Sequence, residues 1–303
     1  MSKLETVSEA IEGTSIELST GVFAKQANGS VKLTVGNTVI LATATMSKKP
    51  REGVDFLPLT IEYTEKMYSA GKVPGGFFKR EARPSTAETL IARLVDRPLR
   101  PCFPKDFHHD VQVIINVLSY DDTVAIDHLS IIAASCALST SDIPFNGPIA
   151  AAIVGLIDNQ FVVNPSRQDL EKSDLHLVVA GNQEAVLMVE AGANELSEAQ
   201  LIEAIEIGHG AIKQFIALQS KLVSQAGKTK HVLPEPPQQY NERKEAIIAY
   251  LGDKITNVFL SDANKSEIES GLSSIEDALK EEFINDETPD ADLIMSIYNS
   301  VKK

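Results

Sequence analysis

Five of the eight arginines in this chain fall between residues 75 and 100, in the stretch GGFFKREARPSTAETLIARLVDRPLR. They are Arg80, Arg83, Arg93, Arg97 and Arg100, with Lys79 among them and Phe77 and Phe78 just ahead. The chain as a whole is acidic, with a formal net charge of -14. Guanidinium groups gathered in one segment of an acidic protein point to an anionic ligand, because the local charge must work against the overall field. Aromatic rings beside that charge point to a single nucleic-acid strand, whose bases stack on rings while arginines hold its phosphates. The competing reading is structural. An Arg pair four residues apart is often a solvated helix face, paired here with Glu81 or Asp96, and adjacent phenylalanines often belong to a core.

Local signals say how the segment is held. Pro84-Ser85 followed by Glu88 predicts a helix start, with Ser85 as N-cap and Glu88 as its capping-box partner. Pro98 predicts a stop near Arg97. Leu90, Ile91, Leu94 and Val95 share one stripe and are expected to be buried. Arg93 and Arg97 then share the other face, and Arg100 follows the stop. Gly75-Gly76 makes the preceding loop flexible or tightly turned.

Other residues that could do chemistry read as structural. His108-His109-Asp110 invites a metal, but neighbours on a strand splay apart, and a surface turn is expected. Ser139, Thr140, Ser141 and Asp142 sit at the wrong end of a helix for anion capture. His209 lies inside a long helix. Cys136 lies in an apolar helix, and Cys102 and Cys136 are the only cysteines. With no CxxC pair, a disulfide framework or thiolate metal site is not expected, and a reducing cytoplasm is the simplest location. No run of about 18 apolar residues offers a membrane span, and the N-terminus lacks the apolar core of a secretory signal.

Residues 1–230 mix period-two and period-3.6 patterns, which predicts strands and helices together. Val31, Leu33 and Val35 alternate ahead of a Gly36-Asn37 turn and the return strand TVILATATM. VQVIINVL at 111–118 reads as a strand covered on both faces, and DHLSIIAASCALSTS at 127–141 as a buried helix. Further hairpins are expected around Asp158-Asn159 and Gly181-Asn182. A long helix over 197–227 carries a Ser197/Gln200 capping box. VLPEPPQQ makes 231–238 a Pro-rich linker. From 239 to 303 only helical spacing remains: Ile247, Ile248 and Leu251, then Ile268, Leu272, Ile275 and Leu279, then Ile294 and Ile297. Residues 235–303 hold 15 Asp/Glu against 7 Lys/Arg, which argues against direct phosphate binding by this part.

GGFFKREARPS, ETLIARLVDRPLRPCFP and IPFNGPIAAAIVG together resemble the first half of the bacterial polynucleotide phosphorylase family. The resemblance runs over essentially the whole chain. Members of that family carry a first RNase PH-like domain, a helical domain, a second RNase PH-like domain, then KH and OB-fold domains. The sequence is thus similar to an N-terminal fragment reaching about the end of the helical domain. The implied fold is α/β (α+β): an RNase PH-like domain of the ribosomal-protein-S5-domain-2-like βα kind, then a small all-α domain.

The implied activity is that of a polyribonucleotide nucleotidyltransferase. Such an enzyme degrades single-stranded RNA from its 3′ end in mRNA turnover, with inorganic phosphate as co-substrate. It releases nucleoside diphosphates and also runs in reverse as a polymerase. The resemblance further implies a cytoplasmic homotrimer, whose RNase PH-like domains form a ring around an RNA channel, with RNA-degradation proteins as partners and no membrane. By position, Phe77, Phe78, Lys79 and Arg80 correspond to the family's channel-constricting loop, usually Phe-Phe-Arg-Arg. Lys79 keeps the charge but loses the planar fork. Arg83, Arg93, Arg97 and Arg100 correspond to arginines along the RNA path, a role of phosphate contact without base reading.

Family members hold phosphate at a Gly/Ser-rich helix start in the second RNase PH-like domain, and Mg2+ on paired aspartates there. Here the corresponding helix begins Asp127-His128-Leu129, where a carboxylate opposes phosphate. Asp174, ahead of LHLVVAG, has no second aspartate at productive spacing. No catalytic residue and no metal ligand is therefore assigned in residues 1–303, and the fragment alone is expected to be inactive. The competing reading is a catalytically silent RNA-binding ring subunit of an exosome-like assembly.

Overall fold

Strict alternation builds the first sheet. In the computed structural model, β3 (Gly29–Val35) buries Val31, Leu33 and Val35 on one face, and β4 (Thr38–Pro50) buries Ile40, Ala42 and Ala44. The structure describes residues 3–51, 54, 56–77, 81, 83–233, 238–261, 263–284 and 291–302. The two strands join at Gly36, whose φ of 54° suits a residue without Cβ. With β1 (Glu5–Ile11), β2 (Thr14–Thr20), β5 (Leu59–Glu65) and β6 (His109–Ser119) they form one sheet in the order β1-β2-β3-β4-β6-β5. Among the described residues only β5 and β6 pair in parallel. The strand expected to be covered on both faces does not behave so: β6 alternates buried with half-buried residues. Val111, Val113, Ile115 and Val117 form the buried face, while Gln112, Ile114, Asn116 and Leu118 form the half-buried one.

A second sheet follows, in the order β10-β9-β7-β8, all antiparallel. It holds β7 (Ala150–Ile157), β8 (Gln160–Val163), β9 (Leu175–Gly181) and β10 (Val186–Ala193). Asp158 and Asn159 turn β7 into β8 with φ of 48° and 61°, as side chains that tolerate the left-handed region can.

Among the described residues the helices of this unit are α1 (Thr86–Leu99), α2 (Asp127–Thr140), the single turn α3 (Arg167–Leu170) and α4 (Glu198–Ala226). Helix α2 is apolar all round and is buried from His128 to Thr140, as such helices must be. It packs on β3, β4 and β7. Gly29 lets β3 start directly against it: a Cβ there would overlap the carbonyl oxygen of Ala137. Lys230 closes the other end, donating to the carbonyls of Leu138, Ser139 and Ser141 at 2.8, 3.1 and 2.8 Å. Thr140 and Ser141 bond back into the helix. Helix α4 starts with the expected Ser197/Gln200 box and covers β7, β9 and β1.

The chain divides into two units, Met1–Val232 and Leu233–Lys303; Pro234, Pro236 and Pro237 of the expected linker lie outside the described residues. The second unit holds α5 (Gln238–Leu251), α6 (Lys254–Phe259), α7 (Lys265–Phe283) and α8 (Ala291–Lys302). Its core is Ile247, Leu251, Leu279, Ile294, Ile297 and Tyr298. Ile248, expected inside, is 45% exposed. Tyr298 does not announce itself in the periodicity, yet it is fully buried with its hydroxyl donated to the Leu272 carbonyl at 3.1 Å. Among the described residues no helix is long and apolar enough to cross a membrane.

Candidate nucleic-acid interface

Helix α1 carries the arginines, and its start is fastened twice. The Ser85 hydroxyl accepts the Glu88 amide at 3.1 Å, and the Glu88 carboxylate accepts the Ser85 amide at 2.7 Å. The same carboxylate accepts the amide of Glu65, at the end of β5, at 2.9 Å. Partial burial works to raise the Glu88 carboxyl, but these donated hydrogen bonds outweigh it and hold it below the usual range. Glu81, a suggested partner for the arginines, instead accepts the amide of Met67 at 3.2 Å. Glu88 is thus anchored on the last residue of β5 and Glu81 just after it.

Leu94, Val95 and Leu99 form the buried side of α1. Leu90 does not join them, being 55% exposed. The helix also does not stop at Arg97. It includes Pro98 and ends at Leu99, continuing into a 3-10 turn over Arg100–Cys102. Proline is tolerated in this last turn because its ring costs only one late hydrogen bond, and the Arg100 amide still reaches the Asp96 carbonyl.

The four arginines from Arg83 onward meet different fates. Arg83 and Arg93 are exposed and make no hydrogen bond or ion pair among the described residues. Arg97 is half-exposed and its Nη1 donates to Glu190 on β10. Arg100, 44% exposed, is tied back onto the fold. Its Nε and Nη2 donate to the two oxygens of Asp96 at 2.7 and 2.6 Å, and Nη1 and Nη2 to the carbonyls of Leu57 and Leu59 at 3.1 and 3.3 Å. Phe77 is 94% exposed, so it is not the core residue the structural reading favours. Phe78, Lys79 and Arg80 lie outside the described residues.

Beside Arg97 lies a cluster that sequence reading missed. Asp127 opens α2 without a side-chain cap ahead of it. Burial raises its carboxyl, His176 and Arg167 pull it back down, and Glu190 pushes it up again. Arg167 donates to the Tyr120 hydroxyl at 2.8 Å. Tyr63 donates to Glu65 at 2.9 Å, and burial first, then that carboxylate, raises its phenol well above the ordinary value. Residues so far apart in sequence leave no local signal. The helix start therefore carries its own carboxylate, Asp127, among His176, Arg167 and Glu190, rather than a cradle of small residues. Asp174 is drawn into the turn before β9, where it accepts Asn194 Nδ2 at 3.2 Å. Among the described residues no three His, Cys, Asp or Glu side chains are grouped to hold a metal ion.

The remaining candidates are structural. His109 is not on a surface turn: it is buried at the start of β6, bonded to the Ser47 carbonyl at 2.8 Å and stacked on Phe107. Asp110 pairs with Arg51 at 2.8 Å. His209 meets the Asn182 carbonyl at 3.0 Å. Cys102 and Cys136 are buried thiols, pushed by burial up to about 11 and about 12.

Comparison with known proteins follows the same architecture. The model of domain 1 of the 3′ exoribonuclease family matches residues 12–144, and that of domain 2 matches residues 147–211. The junction falls between α2 and β7, where one sheet gives way to the other. The polyribonucleotide nucleotidyltransferase of Heliobacterium modesticaldum is 46% identical over 288 residues, 94% of this chain and 40% of its own length. That of Thermodesulfovibrio yellowstonii is 52% identical over 82% of this chain and 35% of its own length. That of Staphylococcus carnosus is 45% identical over 94% of this chain and 40% of its own length. The chain thus spans well under half the length of these relatives. The crystal structure of rice (Oryza sativa) Rrp46 superposes with a TM-score of 0.53 at 14% identity, covering 73% of this chain and 94% of that one.

Proposed function

The chain belongs to the 3′ exoribonuclease (RNase PH) family, and from that premise we propose that it forms the RNA-guiding first half of a phosphorolytic 3′-to-5′ exoribonuclease. The observation that carries the reading is the outer face of α1. Arg83 and Arg93 are exposed and have no hydrogen bond or ion pair among the described residues, Arg97 is held by one exposed ion pair, and Phe77, earlier in the chain, is 94% exposed. A single strand crossing this face meets guanidinium groups at its phosphates and a ring at its bases, without groups that read sequence. Phe78, Lys79 and Arg80 extend the same surface in this proposal, and Arg100 sets the path by fixing the end of α1.

The chemistry belongs, in this proposal, to a second RNase PH-like domain within the remaining length seen in the relatives. There phosphate attacks the terminal phosphodiester and a nucleoside diphosphate leaves. When bound there, Mg2+ stabilises charge on the transferring phosphoryl group. The carboxylates around Asp127 support assigning no such step to this half. The trimeric ring and the cytoplasmic location are part of the same proposal. The catalytically silent ring subunit remains the second reading, favoured by the same Asp127 cluster.

A phosphorolysis assay on the longer parent protein separates the two. With single-stranded RNA, inorganic phosphate and Mg2+, release of nucleoside diphosphates is expected. Their absence sinks the enzyme reading and leaves the silent subunit.

A further inference from the structure

Against the start of α2, on the side of Phe215, lies a cleft of about 280 Å³. Its lining includes the exposed residues Thr14 and Thr123, so it opens to solvent. Ile11, Ile16, Val35, Leu129 and Phe215, each at most 2% exposed, make most of the wall apolar. His128 completes it at 4% exposure, its ring set edge-on to Phe215 with centroids 6.3 Å apart and planes at 68°. Two aromatic planes meeting at this angle form a corner into which a third ring packs by stacking on one and meeting the other edge-on.

The imidazole is the unusual member. Among the described residues neither ring nitrogen of His128 has a hydrogen-bond partner, and Nδ1 is shielded from bulk water. Buried polar groups are nearly always paired, and an unpaired one beside an open cleft marks a partner that the protein itself does not supply. Burial pulls this imidazole down to about 3, so near neutral pH it offers one N–H donor and one lone pair. Asn164 adds a second polar group: its Oδ1 accepts the Ile153 amide at 2.9 Å, while its Nδ2 has no partner among the described residues.

The wall also says what does not fit. No Lys, Arg, Asp or Glu lines the cleft, so a charged ligand would lose its water without gaining a counter-charge. The volume lies at the lower end of the range for small-molecule sites, enough for a ring system and too little for a nucleotide.

We propose that this cleft binds a small, uncharged, planar heterocycle of the nucleobase kind, seated against Phe215 and hydrogen-bonded to His128. The site is separate from the face of α1 and does not depend on the exoribonuclease reading.

The test is an NMR titration of the full chain, labelled with 15N at histidine, using adenine and uracil as probes. Benzene is the apolar control and inorganic phosphate the charged one. A saturable shift of the His128 ring nitrogens is expected with at least one heterocycle, and none with phosphate. His128→Phe, which keeps the ring shape, and Ala125→Leu, which fills the cleft from its wall, should each weaken that binding at least tenfold. The wild-type titration needs no variant to fold: no saturable shift with either heterocycle up to its solubility limit overturns the proposal. Binding of benzene as tight as that of adenine, or undiminished binding by a folded His128→Phe protein, overturns it equally.

Discussion

Arg97 and Glu190 form an ion pair that ties α1, beside the first sheet, to β10 of the second. Both side chains are about half exposed, 51% and 58%, so the pair contributes little to stability, about 0–1 kcal/mol. Its consequence is electrostatic. Glu190 holds one guanidinium of the α1 face and also raises the nearby Asp127.

Glu190→Gln should therefore free Arg97 for phosphate without unfolding anything. Affinity for single-stranded RNA is expected to rise about two- to fivefold, and the salt dependence to steepen by about 0.7, the contribution of one added phosphate contact on a single strand. Fluorescence anisotropy across a salt series reads both. An unchanged slope would mean that RNA does not reach Arg97.

Arg93 and Arg100 should separate binding from stability. Arg93→Asp is expected to weaken RNA binding and flatten the salt slope while leaving the unfolding free energy within ~0.5 kcal/mol of wild type. Arg100→Ala should cost about 1–2 kcal/mol, since it strips charge-assisted hydrogen bonds from Asp96 and the Leu57 and Leu59 carbonyls at a partly exposed site. Urea denaturation of both variants checks this. Equal loss of stability would contradict the division.

Gly29 is a test of how β3 meets α2. Gly29→Ala places a methyl group against the Ala137 carbonyl and the Ser141 side chain. Because the neighbour is helix backbone, the strand or the helix must move, at a cost of about 1–3 kcal/mol. A midpoint as high as that of wild type in thermal unfolding would show that this contact is looser than the geometry indicates.

His128 should make stability fall with acid. Its folded-state value of about 3 lies below the ordinary 6.5, so between these limits the unfolded chain binds the proton and the folded chain does not. Stability then falls as pH drops through that window, by at most about 1.4 kcal/mol per pH unit from this group. His128→Phe should flatten the wild-type curve between pH 6 and 4 in urea unfolding, by roughly this slope. Parallel curves would mean that His128 takes up its proton in the folded protein.

The sequence reveals features that are local. Both capping boxes, the hairpin turns at Gly36-Asn37 and Asp158-Asn159, the all-round apolar α2 and the helical second unit follow from neighbours in the chain. Features created by long-range packing stay hidden. Strands β1, β2 and β5 have mixed patterns that only their partners explain, and Leu90 is exposed although its spacing places it on the apolar stripe. The arginine cluster shows the same limit. Composition reveals five guanidinium groups together, but only the fold shows that Asp96 and two carbonyls claim Arg100 while Glu190, over 90 residues away in the chain, holds Arg97.

The central claim is that this half guides RNA and leaves the chemistry to another domain. The most direct measurement incubates the chain by itself with 5′-labelled single-stranded RNA, inorganic phosphate and Mg2+, following binding by anisotropy and products by chromatography. Salt-sensitive binding weakened by Arg93→Asp, with no nucleoside diphosphate formed, is the expected result. Steady release of nucleoside diphosphates by the purified chain would contradict it, because the start of α2, where the Asp127 carboxylate stands, would then have to hold phosphate after all.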